Sequence, residues 1–130
     1  MEIKKLIIPN DWVSINYHIP HGWGNGYVGV PSDHPWYGKY YDSLDVTIHG
    51  GLTYSDNFPP AQPEHASTEG MEKGYWWVGF DTMHYMDNLI LCPRAYVEYE
   101  TDSLYQQAQD VYDPIVTRVD SDYRSLDQYL

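Results

Sequence analysis

The residues best suited to chemistry lie between Tyr27 and Asp87, and they are histidines, aspartates and aromatic rings. His49 closes an apolar run and is followed by Gly50-Gly51, so an imidazole stands beside backbone that can approach a ligand closely. Histidine titrates near neutrality and can both donate and accept a proton. Asp81, His84 and Asp87 recur at i, i+3 and i+6. On a helix the first two share a face, while Asp87 drifts by ~120° from Asp81. Asp81 also follows a strand directly, where it would serve equally well as an N-cap receiving the His84 amide. His49 and His84 are the expected catalytic base and acid, with Asp81 orienting one imidazole. The competing reading of His49 is a turn-fixing bond to a backbone carbonyl. His34, beside Pro35, reads as structural.

Rings supply the expected ligand walls. Trp36, Tyr37, Tyr40 and Tyr41 sit in one loop, with Tyr54 and Trp77 (or Trp76) on strands. Stacking a base on such rings contributes ~1–3 kcal/mol and needs no net positive charge. Trp76 and Trp77 alternate, so one of them must face the core. Gly50 and Gly51 amides, with Lys39 and Arg94, are the expected receivers of a phosphate, and Asp87 completes the binding set. His49, His84, Asp81 and Asp87 are also nitrogen and oxygen donors that a divalent metal accepts. With neither HExxH nor paired CxxC present, a metal is not favoured and no residue is assigned to one. No Walker loop and no GxSxG elbow occur, and Gly22–Gly26 only looks like a nucleotide fingerprint.

The elements that must position these residues are short. Lys4–Ile8 reads as a strand, and Trp12–Ile19 shows period-two patterning through Val13, Ile15 and Tyr17. His21–Gly26 reads as a turn, Tyr27–Val30 as a strand cut off by Pro31, and Ser32–Ser43 as an aromatic loop. Leu44–Ile48 alternates like a central strand and resumes at Leu52–Tyr54. Asp56–Gly74, with three prolines and two glycines, is the expected mobile loop. Tyr75–Phe80 is strand-like. Val97, Leu104, Ala108 and Val111 recur at helical spacing and predict a helix over Ala95–Tyr112, although Ala95–Glu100 also alternates. Asp113-Pro114 ends it, and a short helix after Asp120 or Ser121 would close the chain. The predicted architecture is one α+β domain over residues 1–130, a small mixed or antiparallel sheet with a long C-terminal helix on one face.

Composition narrows the partners. Nineteen acidic residues against seven basic ones give a net charge of −12. Such a surface repels duplex nucleic acid and anionic membrane. Cys92 is the only cysteine, so no internal disulfide forms. The first residues lack the character of a signal peptide, and no apolar run approaches the ~20 residues of a membrane span. The expected compartment is the cytoplasm, with the oligomeric state left open.

The run GYVGVPSDHPWYGKYYDSLDVTIHGGLTYS, followed by WWVGFDTMHYMD, resembles a family of small proteins encoded by phages and many bacterial genomes. The corresponding blocks are Gly26–Gly38, Asp45–Tyr54 and Trp76–Asp87, roughly half the chain. Asp33 and Thr82 depart from that pattern, which often has glycine and cysteine there; cysteine chemistry at position 82 is therefore not expected. The resemblance implies a phage or prophage setting, in the host cytoplasm, and no particular reaction. In that setting the expected function is an anti-defence pocket that binds or hydrolyses a nucleotide-derived molecule such as a cyclic nucleotide signal. The alternative is an acidic nucleic-acid mimic that inhibits a host defence nuclease, as anti-CRISPR proteins do. Its motive is ten acidic residues against three arginines from Asp81 onward. A housekeeping protein without a pocket is the third reading.

Overall fold

The computed structural model describes residues 2–11, 19–60 and 74–112. The expected strand at Trp12–Ile19 (all but its last residue), most of Asp56–Gly74 and the tail after Tyr112 lie outside them. Four strands form one sheet: β1 (Lys4–Pro9), β2 (Gly24–Val30), β3 (Tyr54–Asp56) and β4 (Trp76–Phe80), ordered β1-β2-β4-β3. Every neighbouring pair is antiparallel. Helix α1 (Arg94–Tyr112) crosses β1 and β2, giving the expected α+β architecture. Among the described residues no helix is long and apolar enough to cross a membrane.

Both faces of the sheet are covered. Val28, Val30, Val78 and Phe80 point toward α1 and meet its buried Val97, Leu104 and Ala108, with Ile3 and Trp36 completing this core. Tyr27, Tyr75 and Trp77 form a second cluster on the opposite face with Leu6, Ile8 and Tyr54. The period of two that separates strand faces thus sends Trp76 toward the main core and Trp77 away from it.

Two expectations need correction. His21–Gly26 is not wholly a turn, because β2 begins at Gly24 and pairs with Pro9 of β1. Glycine here answers to packing: a Cβ on Gly26 would overlap Thr101 Oγ1 and the Phe80 ring. Leu44–Ile48 is not a strand of the sheet either. Its alternation is real, since Leu44, Val46 and Ile48 turn one side to the core. Its backbone, however, meets the helix: Thr47 N donates to Gln107 Oε1 at 3.0 Å, and Gln107 Nε2 donates to Thr47 O at 2.8 Å. One side-chain amide replaces a neighbouring strand. Alternation reports a buried side and does not say what satisfies the amides.

A buried polar network closes the end of the sheet nearest the site. Asn25 Nδ2 donates to Asn10 Oδ1 at 2.9 Å, and Asn10 Nδ2 donates to Gly22 O at 3.1 Å. Thr82 N donates to Asn25 Oδ1 at 3.0 Å, and Thr82 Oγ1 donates to Gly24 O at 2.6 Å. Backbone bonds from Gly22 N to Thr82 O and from Trp23 N to Cys92 O extend it.

His34 is structural, as expected. Its Nδ1 accepts the Trp36 amide at 2.9 Å, so Nε2 carries the proton and donates to Ala108 O at 2.8 Å.

Two outcomes follow from this packing. Gly26→Ala should lower unfolding stability by about 1–3 kcal/mol, the usual range for overpacking, as measured by urea denaturation. Equal stability would show that helix and sheet are not in close contact there. Burial holds His34 below its ordinary value, outweighing the Ala108 carbonyl and Asp33. The unfolded chain therefore takes up this proton first, at about pH 6.5. His34's contribution is complete above that pH and is lost as pH falls toward the folded value. His34→Gln should flatten the decline of melting temperature between about pH 7 and 5. An unchanged slope would contradict the assignment.

Candidate functional site

The site is built where two connections, the turn after Ile48 and the segment between β4 and α1, meet the start of α1. The turn after Ile48, closed by Gly51 N donating to Ile48 O at 3.0 Å, brings in His49. The segment after β4 brings in Asp81, His84 and Asp87. The approach to α1 brings in Cys92, whose amide donates to Asn88 O at 2.8 Å. The helical and N-cap expectations for Asp81–Asp87 both give way to a series of turns. Asp81 Oδ1 accepts the Met83 amide at 2.9 Å, and its Oδ2 accepts Thr53 Oγ1 at 2.8 Å. It is Asp87, not Asp81, that takes the His84 amide, at 2.9 Å. Met86 has a φ of 77°, left-handed backbone that costs a side-chain-bearing residue roughly 1–2 kcal/mol. This bend turns the chain back so that the Asp87 carboxylate reaches His84.

Asp87 is the centre. Oδ1 lies 3.0 Å from His49 Nε2, and Oδ2 lies 3.0 Å from His84 Nδ1. The two imidazoles stand edge to face, with ring centroids 5.6 Å apart. Burial opposes the charge on Asp87, but bonds from the His84 amide and from both imidazoles outweigh it and hold the carboxyl below its usual range. Asp81 Oδ1 lies 3.4 Å from His84 Nδ1, a second, weaker carboxylate contact. On its other side, His49 Nδ1 lies 2.7 Å from Tyr96 Oη, and Tyr96 donates to Glu100 Oε1 at 3.1 Å. Burial, then Glu100, push the Tyr96 phenol up to about 12.

His84 opens onto a recess of about 520 Å³ lined by Pro20, Met83, Tyr85, Met86, Asp87 and Asn88. Tyr85 is 94% exposed. With Nδ1 on Asp87, no described residue makes a hydrogen bond to His84 Nε2. A carboxylate on one imidazole nitrogen and an unengaged second nitrogen are the arrangement of an oriented acid–base histidine.

Of the expected site residues, the fold gathers His49, Gly50, His84, Asp81 and Asp87. Gly51 follows with φ 77° and open space beside it. The expected ring wall does not assemble there. Trp36 is buried against His34, Tyr37 packs on Trp76, Tyr40 is exposed in its own loop, and Tyr54 and Trp77 lie in the cluster on the far sheet face. Arg94 pairs with Glu98 at 2.7 Å and lies over Trp23, and Lys39 is exposed, its carbonyl accepting the Trp76 indole. Sequence reasoning missed Tyr85, Cys92, Tyr96 and Glu100. The i, i+4 pair Tyr96/Glu100 on a predicted helix was the available signal. Cys92 is buried, and burial followed by the nearby Asp87 pushes its thiol up, which does not suit a nucleophile.

No family model matches the chain, and neither a curated protein nor a solved structure matches it.

Gly50 is the conformational requirement of the site. Its φ is 65°, and a Cβ there would stand 2.6 Å from His84 Cε1 and 2.8 Å from Nε2. Gly50→Ala should cost about 1–2 kcal/mol through the backbone alone and displace the imidazole, shifting the His84 ring resonances in NMR spectra. Unchanged stability with unchanged His84 signals would place Gly50 away from the ring.

Proposed function

We propose that this chain is a phage- or prophage-type protein whose recess binds a nucleotide-derived small molecule, with His84 as the proton-handling group. One observation carries the reading: Asp87 holds His84 through Nδ1, no described residue bonds its Nε2, and His84 lines the recess. The recess is of the size that small ligands occupy, ~300–1,000 Å³, and combines apolar walls with a few polar groups. Tyr85 offers a face for a planar base, and His84 a hydrogen bond for the polar end. His84 performs acid–base work if the ligand is turned over, since an imidazole oriented in this way contributes typically ~10²–10⁴-fold. The carboxylates of Asp81 and Asp87 disfavour a bare phosphate beside them, so the base and sugar are the parts expected near Tyr85 and His84.

The acidic-inhibitor reading has less support in the described helix. Lys5 pairs with Asp102 and Arg94 with Glu98, so two of its carboxylates carry cations of their own.

Binding is tested by thermal shift and calorimetry against nucleotides and cyclic dinucleotides. A ligand at about 100 times its dissociation constant adds ~2.7 kcal/mol of stability. His84→Ala, a half-buried position, should remain folded and lose that gain. A flat screen, or full binding by folded His84→Ala, sinks the proposal.

A further inference from the structure

The structure assigns a zinc-class metal site to His49 Nε2, Asp87 Oδ1 and Cys92 Sγ. These atoms converge from two connections, the turn after Ile48 and the segment between β4 and α1, all within 4.8 Å of one another. The edges of the triangle are 3.0 Å from nitrogen to oxygen, 3.7 Å from sulfur to oxygen and 4.0 Å from sulfur to nitrogen. Tetrahedral zinc, with bonds near 2.0–2.3 Å, sets its ligands roughly 3.3–3.6 Å apart. Adjustments of about half an ångström or less would close the site around an ion.

A proton inventory gives independent support. A phenol has one proton, and Tyr96 gives it to Glu100, so the Tyr96 oxygen must accept from His49 Nδ1. Nε2 of a neutral His49 then turns a lone pair toward a carboxylate oxygen and a sulfur. In the metal-free chain the Cys92 S–H points to the same carboxylate oxygen, and a metal ion would take the place of that proton among the three donor atoms. The outer contacts are those a metal centre uses. Metal-binding histidines pass their other N–H to an oxygen partner, here Tyr96 backed by Glu100, and the ligating carboxylate is itself held, here by the His84 amide and ring. Mixed nitrogen, sulfur and oxygen donors suit zinc and exclude the oxygen-only preferences of calcium and magnesium.

On binding, the Cys92 S–H bond breaks, its proton leaves to solvent, and the sulfur lone pair forms the bond to the metal. Three protein donors leave a fourth tetrahedral position for water or a ligand donor atom. His49 is then a ligand, and His84 remains the proton carrier at the recess. The site does not depend on the ligand class proposed above.

The test is a titration of chelator-treated, reduced protein with cobalt(II) and zinc. The expected result is one ion per chain and a thiolate-to-cobalt charge-transfer band that Cys92→Ser abolishes. Tyr96→Phe should weaken affinity by about 10-fold or more, the scale of outer-contact losses. Cobalt bound without the thiolate band, no binding by folded protein, or wild-type affinity in both Cys92→Ser and His49→Gln would overturn the site. If Cys92→Ser does not fold, the band in the unaltered protein decides alone. A flat nucleotide screen leaves this metal count untouched, so the two readings fail separately.

Discussion

The arrangement depends on the buried polar junction among Asn10, Asn25 and Thr82. Asn10 and Thr82 are 0% exposed and Asn25 is 4%. Leaving such groups unpaired costs roughly 1–3 kcal/mol each, so their bonds fix a unique geometry where apolar packing alone would tolerate sliding. The junction joins the end of β1, the start of β2 and the exit of β4. From that exit the chain runs directly into Asp81, His84 and Asp87. The Trp23 amide, one residue before β2, also holds the carbonyl of Cys92. Both sides of the site are thereby referred to one rigid corner of the sheet. Thr82 serves here as a hydrogen-bonding hub.

The helix was legible because its burial is periodic, and the strands because they are short, largely apolar runs covered on both faces. Tyr75–Phe80, Tyr27–Val30, Lys4–Ile8 and the helix all lie close to their predicted spans, with Val97, Leu104 and Ala108 buried as their spacing requires. What failed was inference from pattern to hydrogen-bond partner. Leu44–Ile48 buries alternate residues without joining the sheet, because Gln107 supplies its backbone bonds. His21–Gly26 reads as a turn by composition, yet Gly26 is there to let α1 approach. Neither fact has a local signature, since each is set by a residue more than fifty positions away.

The candidate site was half legible for a related reason. His49, His84 and the flanking aspartates announce themselves by type and spacing, but which carboxylate serves which imidazole depends on turn geometry. The left-handed Met86 decides it in favour of Asp87, and methionine gives no warning of that conformation. The ring assignments went astray because tyrosine and tryptophan suit a core as well as a pocket. In a chain with fourteen tyrosines and five tryptophans most rings must pack internally. Tyr85, between His84 and Met86, was passed over for rings in richer clusters.

Charge sets the last constraint. Four acidic groups, Asp81, Asp87, Glu100 and, when ionised, the Cys92 thiolate, are gathered around two imidazoles in a protein already at −12. Such a gathering opposes folding unless positive charge enters it, because buried like charges are poorly screened. No lysine or arginine reaches Asp87 in the described structure; its partners are His49, His84 and the Cys92 thiol. Hydrogen bonds from the His84 amide and from the side chains around it hold the Asp87 charge instead. Asp87 thereby couples the His49 side to the His84 side through one shared carboxylate. Oδ1 and Oδ2 of Asp87 belong to the same delocalised charge, so a cation drawn to one oxygen weakens the hold of the other on His84 Nδ1.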